Sequence, residues 1–228
     1  MTTQTGTPRD PESRGLRLTP ALLSLTVVSG LIDAVSYLGL GHVFTANMTG
    51  NVVVLGFAAA GAPGFSVPHT LTSLCCFLAG AVTGGRIAVR FGDGSRRNWA
   101  RGTFAAEAVL TAACAAVAFA APGATATAYT LIAVTAFAMG LRNATVRRLG
   151  VADLTTTVLT MTLTGLAADS RLGGGAGHNS PRRTGSVLAM LAGALLGAWL
   201  VLHHGLAIPL LIAALVPATL AVTASGLE

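Results

Sequence analysis

The 228-residue sequence contains no lysine and few charged residues of any kind. Charged residues make up 10% of the chain, whereas a soluble globular domain carries about a quarter. Hydrophobic residues make up 53%, and the mean hydropathy is +0.71. This scarcity of charge excludes an ordinary soluble enzyme. All 14 basic residues are arginines, and the resulting net charge of +6 would by itself suggest a nucleic-acid partner.

The distribution of the charges argues against nucleic-acid binding and for a membrane protein. The only formal charge in residues 18–85 is Asp33, the only one in 102–141 is Glu107, and residues 184–227 carry none. Stretches this long and apolar are typical of membrane spans, which need about 20 residues each. We therefore predict an all-α integral membrane protein that contacts the lipid bilayer and binds no nucleic acid.

Cysteine is also scarce, and familiar catalytic patterns are missing. Cys75, Cys76 and Cys114 lie inside apolar stretches without the spacing of metal ligands, so we interpret them as small buried hydrophobic side chains. His203 and His204 are adjacent and cannot share one helical face. The sequence has no Ser/His/Asp set, no HExxH motif and no phosphate-binding loop. We predict no metal, no cofactor and no enzymatic activity.

The chain divides into eight apolar segments, two of which are too short to cross a bilayer as helices. At about 1.5 Å per residue, the segments at 46–61 and 154–168 reach only about 22–24 Å, short of the hydrocarbon core of about 30 Å. Both are rich in polar residues. The other six are long enough to cross, and they lie at about 20–41, 68–89, 101–121, 127–147, 185–204 and 205–224.

The arginines decide how the two short segments are placed. If all eight segments crossed, eight arginines would lie outside and six inside, against the positive-inside rule. If the short segments re-enter and return to their starting side, all 14 lie inside. We therefore predict six transmembrane helices plus two short re-entrant half-helices, with both termini in the cytoplasm.

The two halves of the sequence resemble each other. The run at 30–34 resembles the run at 140–144, which lies 110 residues later. Each half has three full spans, an odd number, so the second half is predicted to be inverted relative to the first. Inverted repeats with broken helices are typical of transporters. Further matches follow in order: 38–39 with 149–150, 44–51 with 155–162, and Gly80 and Gly84 with Gly193 and Gly197.

This organisation predicts five regions along the chain. The polar residues 1–19 are expected to form a disordered cytoplasmic tail, and the apolar run that follows is taken as an uncleaved span. The regions are the tail at 1–19, the first membrane repeat at 20–121, an extracytoplasmic linker at 122–126, the second membrane repeat at 127–224 and a C-terminal tail at 225–228.

Two motifs, one in each half of the chain, are similar to a known family. The sequence reads VFTANMTGN at 43–51 and GLRNA at 140–144, and a threonine-rich run follows at 155–165. Together with Asp33, these motifs closely resemble the YoaK-like family of bacterial integral membrane proteins. The resemblance covers about residues 20–224. It implies a multi-spanning protein of the bacterial plasma membrane and assigns no substrate, cofactor or reaction. The family more often has Thr-Gly where this chain has Thr160-Met161.

Asp33 and Arg142 are charges predicted to lie deep in the bilayer. A charge at mid-span costs at least ~2.5–3.5 kcal/mol on insertion scales, so each needs a partner or a polar cavity. Arg142 precedes Asn143, the repeat counterpart of Asp33. We expect an Asp33–Arg142 pair across the pseudo-twofold axis. The alternatives are a purely structural ion pair and an Arg142 that extends to the cytoplasmic face.

The two short segments supply neutral donors and acceptors at the same depth. Half-helix N-termini that meet from opposite sides suit an anion or a neutral polar solute. Threonines that only bond their own i−4 carbonyl are the alternative. Glu107, two turns into its span, is a weaker candidate for proton coupling. The expected substrate-binding residues are Asp33, Asn47, Thr49, Asn51, Arg142, Asn143, Thr156, Thr160 and Thr162.

These residues favour transport over the other functions of a membrane protein. We expect a transporter or channel for a small polar or anionic solute, with a midplane site between the two half-helices. One alternative is a membrane scaffold or sensor without transport. A less favoured alternative is an intramembrane enzyme, for which only Asp33 and Glu107 offer acids at depth. The sequence leaves homo-oligomerisation open.

Overall fold

The structure, a computed structural model, describes residues 11–91, 96–149, 159–175 and 180–223. These ranges form eight α-helices and one 3₁₀ turn and contain no strand, in keeping with the predicted all-α class. The helices are α1 (Pro11–Gly39), α2 (Met48–Ala59), α3 (Val67–Phe91), α4 (Arg96–Ala120), α5 (Thr125–Leu149), α6 (Leu159–Ala168), α7 (Ser180–His204) and α8 (Ala207–Thr223), and the 3₁₀ turn is Arg171–Gly173.

The first helix begins earlier than the sequence predicts. The tail was expected to be disordered over 1–19, but α1 is helical from Pro11. Proline suits this first position because its missing N–H would be unbonded there in any helix. Residues 1–10 and the predicted C-terminal tail at 225–228 lie outside the described residues.

Four of the described helices are long and apolar enough to cross a membrane by length and composition. They are Pro20–Gly39, Val67–Phe91, Asn98–Ala120 and Pro181–His204. Helix α5 has 25 residues but carries three arginines, and α8 has 17 residues. Helices α2 and α6 are shorter, with 12 and 10 residues, as the two short segments predict.

The long helices run in alternating directions. A cluster at one end of the bundle joins the start of α1 and α4 to the end of α3, α5 and α8, and it includes Leu22, Ala88, Trp99 and Val146. Helix α7 also starts there, because Leu23 lies beside Gly185. The terminal turns at this end carry Arg90, Arg101, Arg147 and Arg183, and we call it the arginine end.

The opposite end of the bundle carries histidines. His69 lies in the first turn of α3 and His203 in the last turn of α7. Here the second half of α1 packs with the end of α4 and the starts of α5 and α8, and Cys114 is buried among them. Cys75 is exposed on α3, so the prediction that all three cysteines are buried is wrong.

Glycines set two close helix crossings, α1 with α7 and α3 with α5. A Cβ added at Gly193 would clash with the carbonyl oxygen of Val27, and one at Gly80 with that of Phe137. Small residues let helix backbones approach closely where apolar burial gives no drive to association. The two crossings therefore depend on the absence of a side chain at these positions.

A first prediction concerns the α3–α5 crossing. Gly80→Ala is expected to lower the free energy of unfolding by about 1–3 kcal/mol, because the added methyl overpacks the contact. Gly85→Ala is the matched control, since a Cβ there meets nothing within 4 Å, and it should be neutral or slightly stabilising. Reversible unfolding in mixed micelles measures both. Equal losses in the two variants would contradict a close crossing.

Candidate functional site

The segment between α1 and α3 turns back into the bundle instead of staying at its surface. After α1 ends at Gly39, His42 adopts a left-handed backbone conformation with φ of 59°, which is uncommon for a residue with a side chain. Its ring packs edge-on against Tyr37 at 5.2 Å between centroids. Its Nδ1 lies 3.0 Å from the carbonyl oxygen of Gly64, so the two ends of the segment meet. The segment thus leaves and returns at the histidine end.

The deepest part of this segment is held by Asp33. The Oδ1 atom of Asp33 accepts hydrogen bonds from the backbone N–H groups of Thr45, Ala46 and Asn47, at 3.2, 2.8 and 3.3 Å. The Asn47 side chain then accepts from the N–H of Gly50 at 3.2 Å and caps α2. An anion at a helix N-terminus is favourable because the unpaired N–H groups and the helix dipole both attract it.

Asn51 on α2 holds the non-helical stretch before α2 through the backbone of Phe44. Its Oδ1 accepts from the N–H of Phe44 at 2.9 Å, and its Nδ2 donates to the carbonyl oxygen of Phe44 at 2.6 Å. Ser73 on α3 donates to the same carbonyl at 2.6 Å. Asn51 is fully buried. Its amide is therefore occupied with backbone groups, and this geometry makes it an anchor of the segment.

A cavity of about 240 Å³ lies beside Asp33. It is formed by α1, by α7 and by the residues that precede α2. Asp33 is only 6% exposed, and its second oxygen, Oδ2, has no hydrogen-bond partner within the described part of the chain. The lining comprises Gly30, Asp33, Ala34, Tyr37, Leu38, Phe44, Asn47, Met190 and Ala194.

The expected Asp33–Arg142 pair is wrong. Arg142 is fully buried, and its Nη1 donates to Glu107 Oε1 at 3.0 Å. Its Nη2 donates to the hydroxyl of Ser29 at 2.6 Å. The guanidinium is directed to α4, where the Glu107 carboxylate supplies a full charge, whereas Asp33 is directed to backbone N–H groups. Glu107 is fully buried as well, with 0% of its side chain exposed.

The Glu107–Arg142 pair forms a polar centre separate from the cavity. It ties α4 to α5, and through Ser29 to α1. Glu107 Oε2, Arg142 Nε and the nearby Thr111 hydroxyl are buried without a hydrogen-bond partner in the described residues. A buried ion pair stabilises a fold only when most of its lone pairs and protons are satisfied. Replacing only one of Glu107 and Arg142 is therefore expected to destabilise the fold strongly, because the other charge stays buried and unpaired.

The other predicted residues are spread over the molecule. Thr49 and Thr160 are exposed, Thr162 is buried and Asn143 is half-buried. Thr156 lies outside the described residues. Helix α2 packs on α3, whereas α6 packs on α7. Of the nine predicted substrate-binding residues, the structure brings Asp33 and Asn47 to the same cavity.

Sequence reasoning missed Ser29, Tyr37, Phe44 and Met190. The first two carry a signal in the sequence, because Ser29 and Tyr37 each lie four residues from Asp33. Side chains at i and i+4 share one face of a helix, so the polar face of α1 was readable. Phe44 and Met190 reach the cavity only through the return of the segment and the α1–α7 crossing, which leave no such local pattern.

Comparisons with known proteins identify a family and a similar protein. A family model described as "Protein of unknown function (DUF1275)" matches residues 21–223. The chain belongs to this family. It is also similar to the UPF0700 transmembrane protein YoaK of Bacillus subtilis (strain 168), with 35% identity over 152 residues, or 65% of this chain. The match spans 64% of the length of YoaK. No solved structure matches the chain.

Family membership confirms the resemblance that the motifs at 43–51 and 140–144 carry. The family model spans the described helices from α1 to α8. Together with the apolar helices and a relative named as a transmembrane protein, it makes this chain a multi-pass membrane protein.

A second prediction concerns the Glu107–Arg142 pair. Arg142→Met and Glu107→Leu are each expected to cost about 3–5 kcal/mol of unfolding free energy, because each leaves one buried charge unpaired. The double variant should be more stable than either single variant, since it removes both charges. Asp169→Asn is the control, because Asp169 is 61% exposed beside Arg183 and such surface pairs contribute about 0.2–1 kcal/mol. Additive losses in the double variant would argue against a coupled pair.

Proposed function

We propose that the protein is a transporter or channel for a small polar solute in the bacterial plasma membrane. In this proposal, six helices cross the bilayer, two half-helices re-enter from opposite sides, and both termini are cytoplasmic. The observation that carries the proposal is the cavity beside Asp33, a buried acid at the start of a helix that begins inside the bundle. Non-helical backbone at membrane depth is tolerated where protein buries it or where it lines a polar cavity.

The pattern of helix contacts supports two equivalent halves. Exchanging the halves replaces α1 by α5 and α3 by α7, so the α1–α7 contact becomes the α5–α3 contact. Both contacts are extensive. Both also use glycines at matched positions, because a Cβ at Gly30 would clash with α7 and one at Gly140 with α3. Such an exchange is expected of a repeat and is typical of transporter folds.

The helix directions support inversion of the second half. Arg101, near the start of α4, donates through Nε to the carbonyl oxygen of Ala221, near the end of α8, at 2.7 Å. The matched helices α4 and α8 are therefore antiparallel. If all eight helices crossed in alternation, α4 and α8 would be parallel. The arginine end fits a cytoplasmic surface because positive residues accumulate on that side.

A third prediction tests the topology. In a cysteine-free background, Ala62→Cys and Ala124→Cys should react with a membrane-impermeant maleimide added outside intact cells. Arg147→Cys should react only after the cells are opened. Eight alternating crossings predict the opposite result at all three positions, so the labelling pattern decides between the two topologies.

A fourth prediction tests transport. Purified protein in liposomes should pass small polar solutes faster than empty liposomes, measured by light scattering after an osmotic step. Leu38→Trp should lower that rate several-fold, because Leu38 lines the cavity and is 48% exposed, so that a larger side chain there narrows its entrance. Leu188→Trp, at an exposed position of α7 outside the cavity lining, is the matched control and should leave the rate unchanged. Folded wild-type protein that passes no tested solute would favour a scaffold or sensor.

A further inference from the structure

We propose that the cavity beside Asp33 binds a solute that carries a protonated amine or another small ammonium group. This inference rests on the proposed function and names the chemical class of its solute. It keeps the expectation of a small polar solute and replaces the anionic alternative with a cationic one. The juxtaposition that supports it is one buried carboxylate and two stacked aromatic rings in the lining of an otherwise largely apolar cavity.

The balance of buried charge is the first argument. Among the described side chains, the buried charged groups are Asp33, Glu107 and Arg142. Glu107 and Arg142 neutralise each other in a direct ion pair. Asp33 is left with three backbone N–H groups on Oδ1, and no group in the described part of the chain donates to Oδ2. A helix N-terminus offers about half a positive charge, so one buried carboxylate remains short of a cation.

The cavity lining is the second argument. The rings of Tyr37 and Phe44 stack with centroids 4.8 Å apart, and both residues line the cavity. Met190 adds a polarizable thioether, and the remaining lining is largely Gly, Ala and Leu. The faces of aromatic rings carry partial negative charge, so they attract ammonium groups and repel anions. A single acid in such a lining selects for an amine and against a carboxylate or phosphate.

A comparison with the second half is the third argument. In the proposed repeat, the counterpart of Asp33 is Asn143. An amide oxygen accepts hydrogen bonds from backbone N–H groups as a carboxylate oxygen does, without a charge. Anchoring a re-entrant segment therefore requires an acceptor and does not require an anion. The helix N-terminus offsets only about half of the full charge at position 33, and a cationic solute can pair with the remainder.

The size of the cavity distinguishes an organic cation from a bare ion. A volume of about 240 Å³ is many times the space that one water molecule needs. The described lining offers few oxygen ligands besides Asp33, whereas a metal cation in a protein takes several oxygen ligands. A solute with an apolar part and an ammonium group fits both features.

The test compares three probes of similar shape and different charge: propylammonium, 1-propanol and propionate. Binding to the full chain in lipid nanodiscs is measured by calorimetry at constant ionic strength, with empty nanodiscs subtracted. We expect saturable binding of propylammonium and at least tenfold weaker binding of the other two. Equal affinity for 1-propanol, or no binding of propylammonium, would overturn the proposal.

Asp33→Asn separates recognition from folding. The variant keeps an oxygen for the N–H groups of Thr45 to Asn47 and loses the charge, so the melting temperature should stay near that of the wild type while propylammonium affinity falls at least tenfold. Asp169→Asn makes the same chemical change at an exposed site and should leave the affinity unchanged. If Asp33→Asn binds propylammonium as well as the wild type does, the inference fails.

Tyr37→Leu provides a second variant, which removes a ring contact but keeps the hydrogen bonds that Asp33 and Asn51 accept from the segment. Loss of one aromatic face should lower propylammonium affinity between about 2-fold and 30-fold. An unchanged affinity would argue against recognition by the rings and so against the proposed class.

The flux measurement tests the transport proposal and the binding measurement tests the cationic site, so either proposal can fail without the other. Propylammonium binding that depends on Asp33, without flux in liposomes, would support the cationic site and refute transport. Flux of neutral solutes without any propylammonium binding would support transport and refute the cationic site.

Discussion

The hydrogen bonds from three backbone N–H groups to Asp33 are the interaction on which the architecture depends. Inside a bilayer no water is available for backbone groups, so a chain can leave the helical conformation only where another group accepts its N–H bonds. Asp33 Oδ1 accepts those of Thr45, Ala46 and Asn47. Because of this acceptor, α2 can begin inside the bundle and not at its surface. The short helix follows from the buried acid.

Asp33 can hold the segment before α2 only because the neighbouring helices are themselves held in place. Asp33 belongs to α1, whereas Ser73, which holds Phe44 from the opposite side, belongs to α3. The position of α1 is set by its glycine crossing with α7, and that of α3 by its crossing with α5. The segment before α2 is thus anchored between α1, which packs on α7, and α3, which packs on α5. The same α1–α7 crossing brings Met190 to the cavity.

The sequence predicts the parts of this arrangement that depend on length and composition. The eight apolar segments correspond to the eight described helices, and the two short segments correctly predict that α2 and α6 are short. The partner of Arg142 was beyond reach, because the span from residue 127 to 147 is apolar on nearly all faces and no periodicity tells which face meets α4. The role of Asn51 was equally hidden, since its partners are backbone groups of Phe44, which a pattern of side chains does not reveal.

The separation of the two polar centres has a physical reason. Had Arg142 paired with Asp33, the guanidinium would compete with the N–H groups at the start of α2 for the same carboxylate, and Glu107 would be left as an isolated buried charge. Pairing Arg142 with Glu107 lets each acid serve one purpose: Glu107 joins α4 to α5, and Asp33 holds α2. Because Arg142 is paired with Glu107 and not with Asp33, the negative charge of Asp33 remains beside the cavity. The choice of partner by Arg142 therefore determines the electrostatic character of the cavity, although Arg142 is not part of its lining.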